Sequence, residues 1–174
     1  MEREYLQAIG FYLAKPPRHK VVAVELKGMA NVKGIALPLK AVSDLVVHSS
    51  VAKGTLDIVD HKFVDSFSPK GVYKTLFMMQ AIFNYYTVKE KFGMEVGRFI
   101  VYEVKKSKNA DGKSQLRKYV LDFAQAKGDF LVFHKLLRDA TREIARNRLY
   151  LPNPSDLFEG ENSFDIYRLG LVEG

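Results

Sequence analysis

Residues 55–63 read Thr-Leu-Asp-Ile-Val-Asp-His-Lys-Phe, and the rest of the chain can be placed around them. The run is rich in β-branched and apolar residues and follows a glycine, which predicts a β-strand over 55–64. Side chains alternate along a strand, so Asp60 and Lys62 share one face while Asp57 and His61 lie on the other. An acid beside a lysine on one strand face is a candidate chemical site.

Two more strands are predicted before this one, over 20–27 and 37–48, and turn residues separate all three. The pattern favours an antiparallel meander. Each strand carries an acid inside an apolar run: Glu25, Asp44 and Asp60. If the second and third strands pair about a centre near residue 52, Asp44 lies opposite Asp60. A carboxylate in such a run needs a partner, so the three acids predict a shared site.

Two carboxylates held close together repel each other unless a cation lies between them, and oxygen ligands suit Mg²⁺ or Mn²⁺. A lysine beside that cation can stabilise charge on a phosphoryl group or help to activate water. The alternative is a surface hairpin in which Asp60 and Lys62 form an ordinary ion pair. The three interrupted strands favour metal-dependent phosphodiester chemistry over this alternative.

The other elements follow from hydrophobic periodicity. A short helix with apolar residues from Tyr5 to Leu13 ends before Pro16, and a longer helix over 71–91 ends at Gly93. Strands over 98–106 and 115–123 predict a hairpin, and Phe130 to Ile144 predict a last amphipathic helix. The sequence therefore predicts an α/β fold in the order α-β-β-β-α-β-β-α. It forms one domain over 1–150, and a tail over 151–174 either packs on it or is flexible.

Composition narrows the classes of function. The chain has 174 residues, no cysteine and a formal net charge of +7. The absence of cysteine excludes disulfides, thiolate zinc sites, iron-sulfur clusters and cysteine nucleophiles. Neither a signal peptide nor a membrane-spanning run is visible, so we expect a cytoplasmic protein with no membrane partner. The basic balance favours a polyanion such as DNA as the partner.

These residues together resemble the PD-(D/E)xK nuclease superfamily, and most closely its RecB-like exonuclease branch found in recombination enzymes, phages and CRISPR-associated proteins. The resemblance runs from about Tyr5 to Pro154. It implies a restriction-endonuclease-like core with a central mixed sheet flanked by helices. It also implies a Mg²⁺- or Mn²⁺-dependent deoxyribonuclease, an exonuclease in DNA recombination, repair or phage replication, in a bacterial, archaeal or phage-infected cell.

The resemblance implies a role for each matching residue. Asp44, Asp60 and the backbone carbonyl of His61 would bind the metal, with Glu25 as a further ligand or just behind the ligands. Lys62 would assist the attacking water, and Gln80 on the long helix would anchor the substrate or the lysine. The branch has a tyrosine four residues after the glutamine, but this chain has Asn84 there. The N-terminal helical region of relatives is absent, so we expect a minimal core, or a fusion or partner that supplies it.

Contacts to nucleic acid are expected from two regions. On the long helix, Gln80 and Asn84 share a polar stripe with a tyrosine two turns earlier, and the basic hairpin offers phosphate contacts. The expected nucleic-acid residues are Tyr73, Lys74, Asn84, Lys105, Lys106 and Lys108. The stripes are also consistent with helix packing and with solvated charge.

Three alternatives stay open at this point. A second acid-x-lysine match at Glu103 and Lys105 competes with Asp60 and Lys62, although we expect it to lie on a peripheral strand. The chain could be a catalytically inactive nucleic-acid-binding module with the same fold. It could also be a junction-resolving endonuclease, which would form a dimer and cut branched DNA.

Overall fold

The computed structural model describes residues 2–14, 16–67, 72–107 and 116–144. The helices and strands follow one another in the predicted order, and the predicted α/β fold class is confirmed. Their bounds are α1 Glu2–Ala14, β1 Val21–Ala30, β2 Leu39–His48, β3 Leu56–Val64, α2 Val72–Phe92, β4 Val96–Lys105, β5 Leu116–Asp122 and α3 Lys127–Ile144. A single 3₁₀ turn, Phe123–Gln125, joins β5 to α3. The predicted tail over 151–174 lies outside the described residues.

The five strands form one mixed sheet in the order β1-β2-β3-β4-β5. Neighbouring strands are antiparallel except for β3 and β4, which are parallel and are joined through α2. The predicted meander and the predicted β4–β5 hairpin are therefore confirmed. Gly93 ends α2 with φ of 61°, a conformation that glycine adopts without steric cost.

Helices cover both faces of the sheet. The main core lies between the sheet and α2, where buried β3 and β4 residues such as Ile58 and Phe99 pack against Ile82. On the other face a smaller cluster is formed by Val47, Val59, Ile100 and Tyr102. We call these the α2 face and the α1 face, because α1 contacts β3 on the second one through a Tyr5–Phe63 ring pair. None of the helices in the described ranges is both long and apolar enough to cross a membrane.

The α2 crossover explains why β4 lies inside the sheet. We expected Glu103 on a peripheral strand, but β4 pairs directly with β3 and places Glu103 beside Lys62 in the register. Glu103 is fully buried, and its carboxylate accepts a hydrogen bond of 3.1 Å from Tyr119. The expectation of a peripheral position is therefore wrong, because a parallel pair connected by a helix needs no adjacent turn in sequence.

Candidate functional site

The register of β2 and β3 brings Asp44 to the level of Asp60. The paired residues run from His48↔Leu56 to Leu45↔Val59, so the pairing centre is residue 52, as predicted. The backbone pairing between β2 and β3 stops at Leu45, and the next contact between the two strands is made by the Asp44 side chain. Its Oδ2 accepts a hydrogen bond of 3.1 Å from the backbone N–H of His61. Asp44 is therefore held against the β3 backbone directly after Asp60.

Asp60 is the buried centre of the site, with 3% of its surface exposed. Lys62 Nζ lies 2.9 Å from Asp60 Oδ2 and donates a hydrogen bond of 3.1 Å to Oδ1. Gln80 Nε2 donates a second hydrogen bond of 2.8 Å to the same Oδ1. The predictions that Asp60 and Lys62 share a face and that Gln80 reaches them from the helix describe this geometry. We call Asp60, Lys62 and Gln80 the Asp60 cluster.

The two carboxylate oxygens of Asp60 have different contacts. Oδ1 accepts both hydrogen bonds, whereas Oδ2 is buried and receives none with directional geometry among the described residues. The ammonium group of Lys62 lies 2.9 Å from Oδ2 and forms an ion pair with it, which offsets the cost of burying this charge. The carboxylates of Asp60 and Asp44 are hard oxygen ligands of the kind that a divalent cation takes.

The backbone around Asp44 is irregular both in β2 and in the neighbouring β1. Glu25 has φ of 47°, and the β1–β2 ladder passes from Val24↔Leu45 to Leu26↔Ser43 without a pair between them. As a result Ser43 and Val46, three residues apart, both face α2. The strand alternation is interrupted at Asp44 itself, and sequence alternation alone does not predict where its carboxylate points.

Glu25 is exposed, and the described residues contain no group of three or more histidine, aspartate or glutamate side chains that could hold a metal ion. The structure thus brings Asp44 and Asp60 to one level of the sheet without assembling a three-carboxylate site with Glu25. The metal-binding roles of Asp44, Asp60, His61 and Glu25 stay predictions.

The backbone and the side chain of His61 make contacts in different places. Its backbone lies at Asp44, while its ring lies on the α1 face, as predicted from alternation. There Tyr12 and His61 Nε2 form a hydrogen bond of 3.0 Å, and the ring stacks on Tyr102. Burial lowers the pKa of His61, although the nearby Asp44 and Asp60 act in the opposite direction. The neutral ring packs between helix and sheet, which fits a backbone rather than a side-chain role at the metal.

The residues expected to contact nucleic acid are only partly placed. Asn84 is 2% exposed, accepts a hydrogen bond of 2.7 Å from Ser43 and donates one of 3.0 Å to the Gln80 carbonyl. The amide of Asn84 is thus used between α2 and β2, where it supports Gln80, and the nucleic-acid contact expected of Asn84 stays a prediction. Tyr73 and Lys74 fall in the first turn of α2, but their side chains lie outside the described part, as does Lys108.

Lys105 is the last residue of β4, and Lys106 follows it. Lys106 lies 3.3 Å from Asp65 and over the ring of Tyr5, so its amine packs against α1. The half-buried Lys105 takes part in an interaction of its own. The phosphate contacts expected of these two lysines stay predictions.

Sequence reasoning missed one buried ion pair on the α1 face. Asp57, 1% exposed at its side chain, pairs with Arg98 at 2.5 Å, and the hydrogen bonds from Arg98 reach both carboxylate oxygens. The pair raises the pKa of Arg98. The only signal in the sequence was alternation, which set Asp57 on the face opposite Asp60 without naming its partner on β4.

The chain was compared with family models, curated proteins and solved structures. No family model and no curated protein matches the chain. Among solved structures it is similar to one titled "Crystal structure of SSO0001", with a TM-score of 0.47 and 15% sequence identity. The alignment covers 93% of this chain and 66% of that one, so this chain spans about two thirds of that protein's length. A likeness this remote says nothing about activity.

Proposed function

We propose that the chain is a Mg²⁺- or Mn²⁺-dependent deoxyribonuclease that hydrolyses phosphodiester bonds at the Asp60 cluster and Asp44. The observation that supports this best is the buried Asp60, which is bound by Lys62 and Gln80 and lies next to the His61 backbone N–H that donates to Asp44. The resemblance to RecB-like exonucleases supports the same proposal and favours attack from DNA ends.

Each residue of the site has a separate task. The carboxylates of Asp44 and Asp60, with the carbonyl of His61, would hold the cation. When bound, the metal would polarise the scissile phosphate and lower the pKa of a coordinated water. Lys62 Nζ is held within 3.1 Å of both Asp60 oxygens, where its charge stabilises the phosphate as negative charge accumulates. Gln80 fixes the orientation of the Asp60 carboxylate.

Gln80 is held in place by a neighbouring residue of the same helix. Asn84, one turn later on α2, bonds to the Gln80 carbonyl and to Ser43 on β2. This chain of contacts ties the helix to the strand that carries Asp44. The cluster is therefore held by buried hydrogen bonds, which is the arrangement expected where ligands must be preorganised.

The test is cleavage of linear and closed circular DNA with Mg²⁺ or Mn²⁺, before and after chelation. We expect Asp60→Asn and Lys62→Met to lower the rate by about 100-fold or more. The matched control is Asp65→Asn, because Asp65 has 85% of its side chain exposed and lies on the same chain segment after β3. Equal rates for Asp60→Asn, Lys62→Met and the control would show that the site is wrongly assigned.

Metal binding gives a readout apart from activity. A ligand that binds the folded state raises the melting temperature, so Mn²⁺ should stabilise the parent and not Asp60→Asn. Gln80→Leu should keep most of this shift but lose about 10- to 100-fold in rate, as is usual when a residue that orients a metal ligand is removed. If Mn²⁺ stabilises Asp60→Asn as much as the parent, Asp60 is not a ligand.

A catalytically inactive nucleic-acid-binding module is the second candidate. The observation that favours it is the lack of a three-carboxylate group among the described residues. In that case DNA binds without being cut under any metal, and Asp60→Asn leaves binding unchanged. Cleavage that depends on Asp60 would exclude it.

A further inference from the structure

A cavity lies on the α1 face, on the side of β3 opposite the Asp60 cluster. Its volume is about 440 Å³, within the range of small-ligand sites. The walls come from the segment 17–20, the end of β2 and strands β3 to β5. A hydrogen bond of 2.9 Å from the backbone N–H of His48 to the carbonyl of Lys20 ties the first wall to the second. We call this cavity the basic pocket.

The floor of the basic pocket is apolar and its rim is cationic. Val47, Ile100 and Tyr102, which form the smaller hydrophobic cluster, lie at the bottom. Arg18, Lys20 and Lys118 line the rim. Lys118 is fixed there because it pairs with Tyr102 across β4 and β5, so both side chains share this face.

The charge at the rim is not balanced locally. Asp57 is the single acid that the described residues contribute to the lining, and Arg98, also in the lining, already pairs with it. Arg18, Lys20 and Lys118 form no ion pair within 4.0 Å with an acid of the described ranges. Three cations around one concave site favour an anion with more than one charge, because a single carboxylate would leave most of them unmatched.

His19 adds a polar group to the same wall. Its ring packs on Tyr102 with 5.8 Å between the ring centroids, and its buried Nε2 has no hydrogen-bond partner in the described part of the chain. Because Nε2 has almost no accessible surface, His19 shapes this wall of the pocket through its ring and makes no direct contact to a ligand there.

We propose that the basic pocket binds a phosphate group carried by a small ligand, with Arg18, Lys20 and Lys118 neutralising its charge and the apolar floor receiving the rest of the molecule. The shape of the site supports a phosphate of limited size, since the lining closes around it from five separate segments. The phosphate has two possible sources, a free small molecule or the end of a nucleic acid strand. The site is independent of the proposed nuclease function.

The experiment is calorimetric titration of the full chain with pyrophosphate, and in a second arm with a short oligonucleotide that carries either a 5′-phosphate or a 5′-hydroxyl. Both arms use Asp60→Asn, so that cleavage does not interfere. We expect pyrophosphate to bind, and Lys118→Glu and Arg18→Glu each to weaken binding at least tenfold. Arg18 lies before β1 and outside the sheet, so this variant tests the site without a risk to strand pairing.

Lys127→Glu is the matched control, because it makes the same change of charge at an exposed position at the start of α3. It should keep the parent affinity within twofold. If pyrophosphate fails to bind but the 5′-phosphorylated oligonucleotide binds and loses affinity with Lys118→Glu, the source of the phosphate is a nucleic acid end. If no probe binds, or if Lys127→Glu weakens binding as much as Lys118→Glu, the proposal is overturned.

Discussion

At the scale of single residues, Glu25 combines an embedded acid with an unfavourable backbone. Its φ of 47° lies in the left-handed region, which costs a residue with a Cβ about 1–2 kcal/mol. Strained residues persist mainly where function requires them, and Glu25 lies beside Asp44 at the break in the β1–β2 ladder. The strain is independent evidence for a special role of this position.

Glu25→Gly should be more stable than Glu25→Ala, by about 0.5–1 kcal/mol in the free energy of unfolding, because only glycine removes the strain while its extra chain entropy offsets part of the gain. Urea denaturation of the two variants measures the difference. Both variants lack the carboxylate, so any loss of Mn²⁺ affinity should be the same in both. Equal stability of the two would mean that the left-handed conformation is not costly here.

The main site residues could be predicted from the sequence because a strand has a simple period. Asp60 and Lys62 are two residues apart and therefore meet, whereas Gln80, which also contacts Asp60, was expected near them through the resemblance and not from the strand period. The burial of Asn84 could not be predicted for a related reason. Helical periodicity gives the shared stripe of Gln80 and Asn84, but it does not say that β2 would bury the second amide through Ser43.

At the scale of elements, the close approach of β1 to α2 depends on one glycine. A Cβ at Gly28 would lie 2.7 Å from the Cβ of Thr87 and 3.3 Å from its carbonyl oxygen. Because these atoms belong to a buried helix residue, a side chain at this position must push the strand and the helix apart. The spacing of α2 from the strands that carry Glu25 and Asp44 thus rests on this contact.

Gly28→Ala should lower the free energy of unfolding by about 1–3 kcal/mol, the usual cost of overpacking a well-filled core. Gly128→Ala is the control, because an added Cβ at Gly128 on α3 meets no atom within 4 Å and alanine favours a helix. Chemical denaturation of both variants measures the two changes in the free energy of unfolding. A Gly28→Ala variant as stable as Gly128→Ala would mean that β1 and α2 can separate freely.

Element order and the β2–β3 register were accessible from the sequence, but the position of β4 was not. Turn residues fix the pairing of adjacent antiparallel strands, and Ser49 to Gly54 set the centre at residue 52. A strand that follows a long helix can join either edge of a sheet. The burial of Glu103 and its place beside Lys62 depend on that choice, which no local pattern records.

At the scale of the whole molecule, pH should affect stability through His19. Burial lowers its pKa from 6.5, and the nearby charges of His61 and Lys118 add to the effect while Asp57 opposes it. The unfolded chain therefore binds a proton more readily than the folded one below pH 6.5. The contribution of His19 to stability is complete above that pH and is lost as the pH falls through the lower pKa of the folded state.

His19→Gln should make the fall in melting temperature between pH 7 and pH 5 shallower than in the parent, since glutamine does not titrate. His48→Gln, at the exposed last residue of β2, is the control and should keep the parent slope. Melting curves over this pH range measure the three slopes. A parent slope in His19→Gln would mean that the neutral imidazole is not required in the fold.

Strand β3 contributes one face to the Asp60 cluster and the other to the basic pocket, with Asp60 and Asp57 only three residues apart. An insertion or deletion of one residue ahead of Asp57 would exchange the two faces along the whole strand. Substitutions can therefore change either surface separately, whereas a shift of the strand by one residue would destroy both sites at once. We therefore expect insertions and deletions in β3 to be tolerated less well than substitutions.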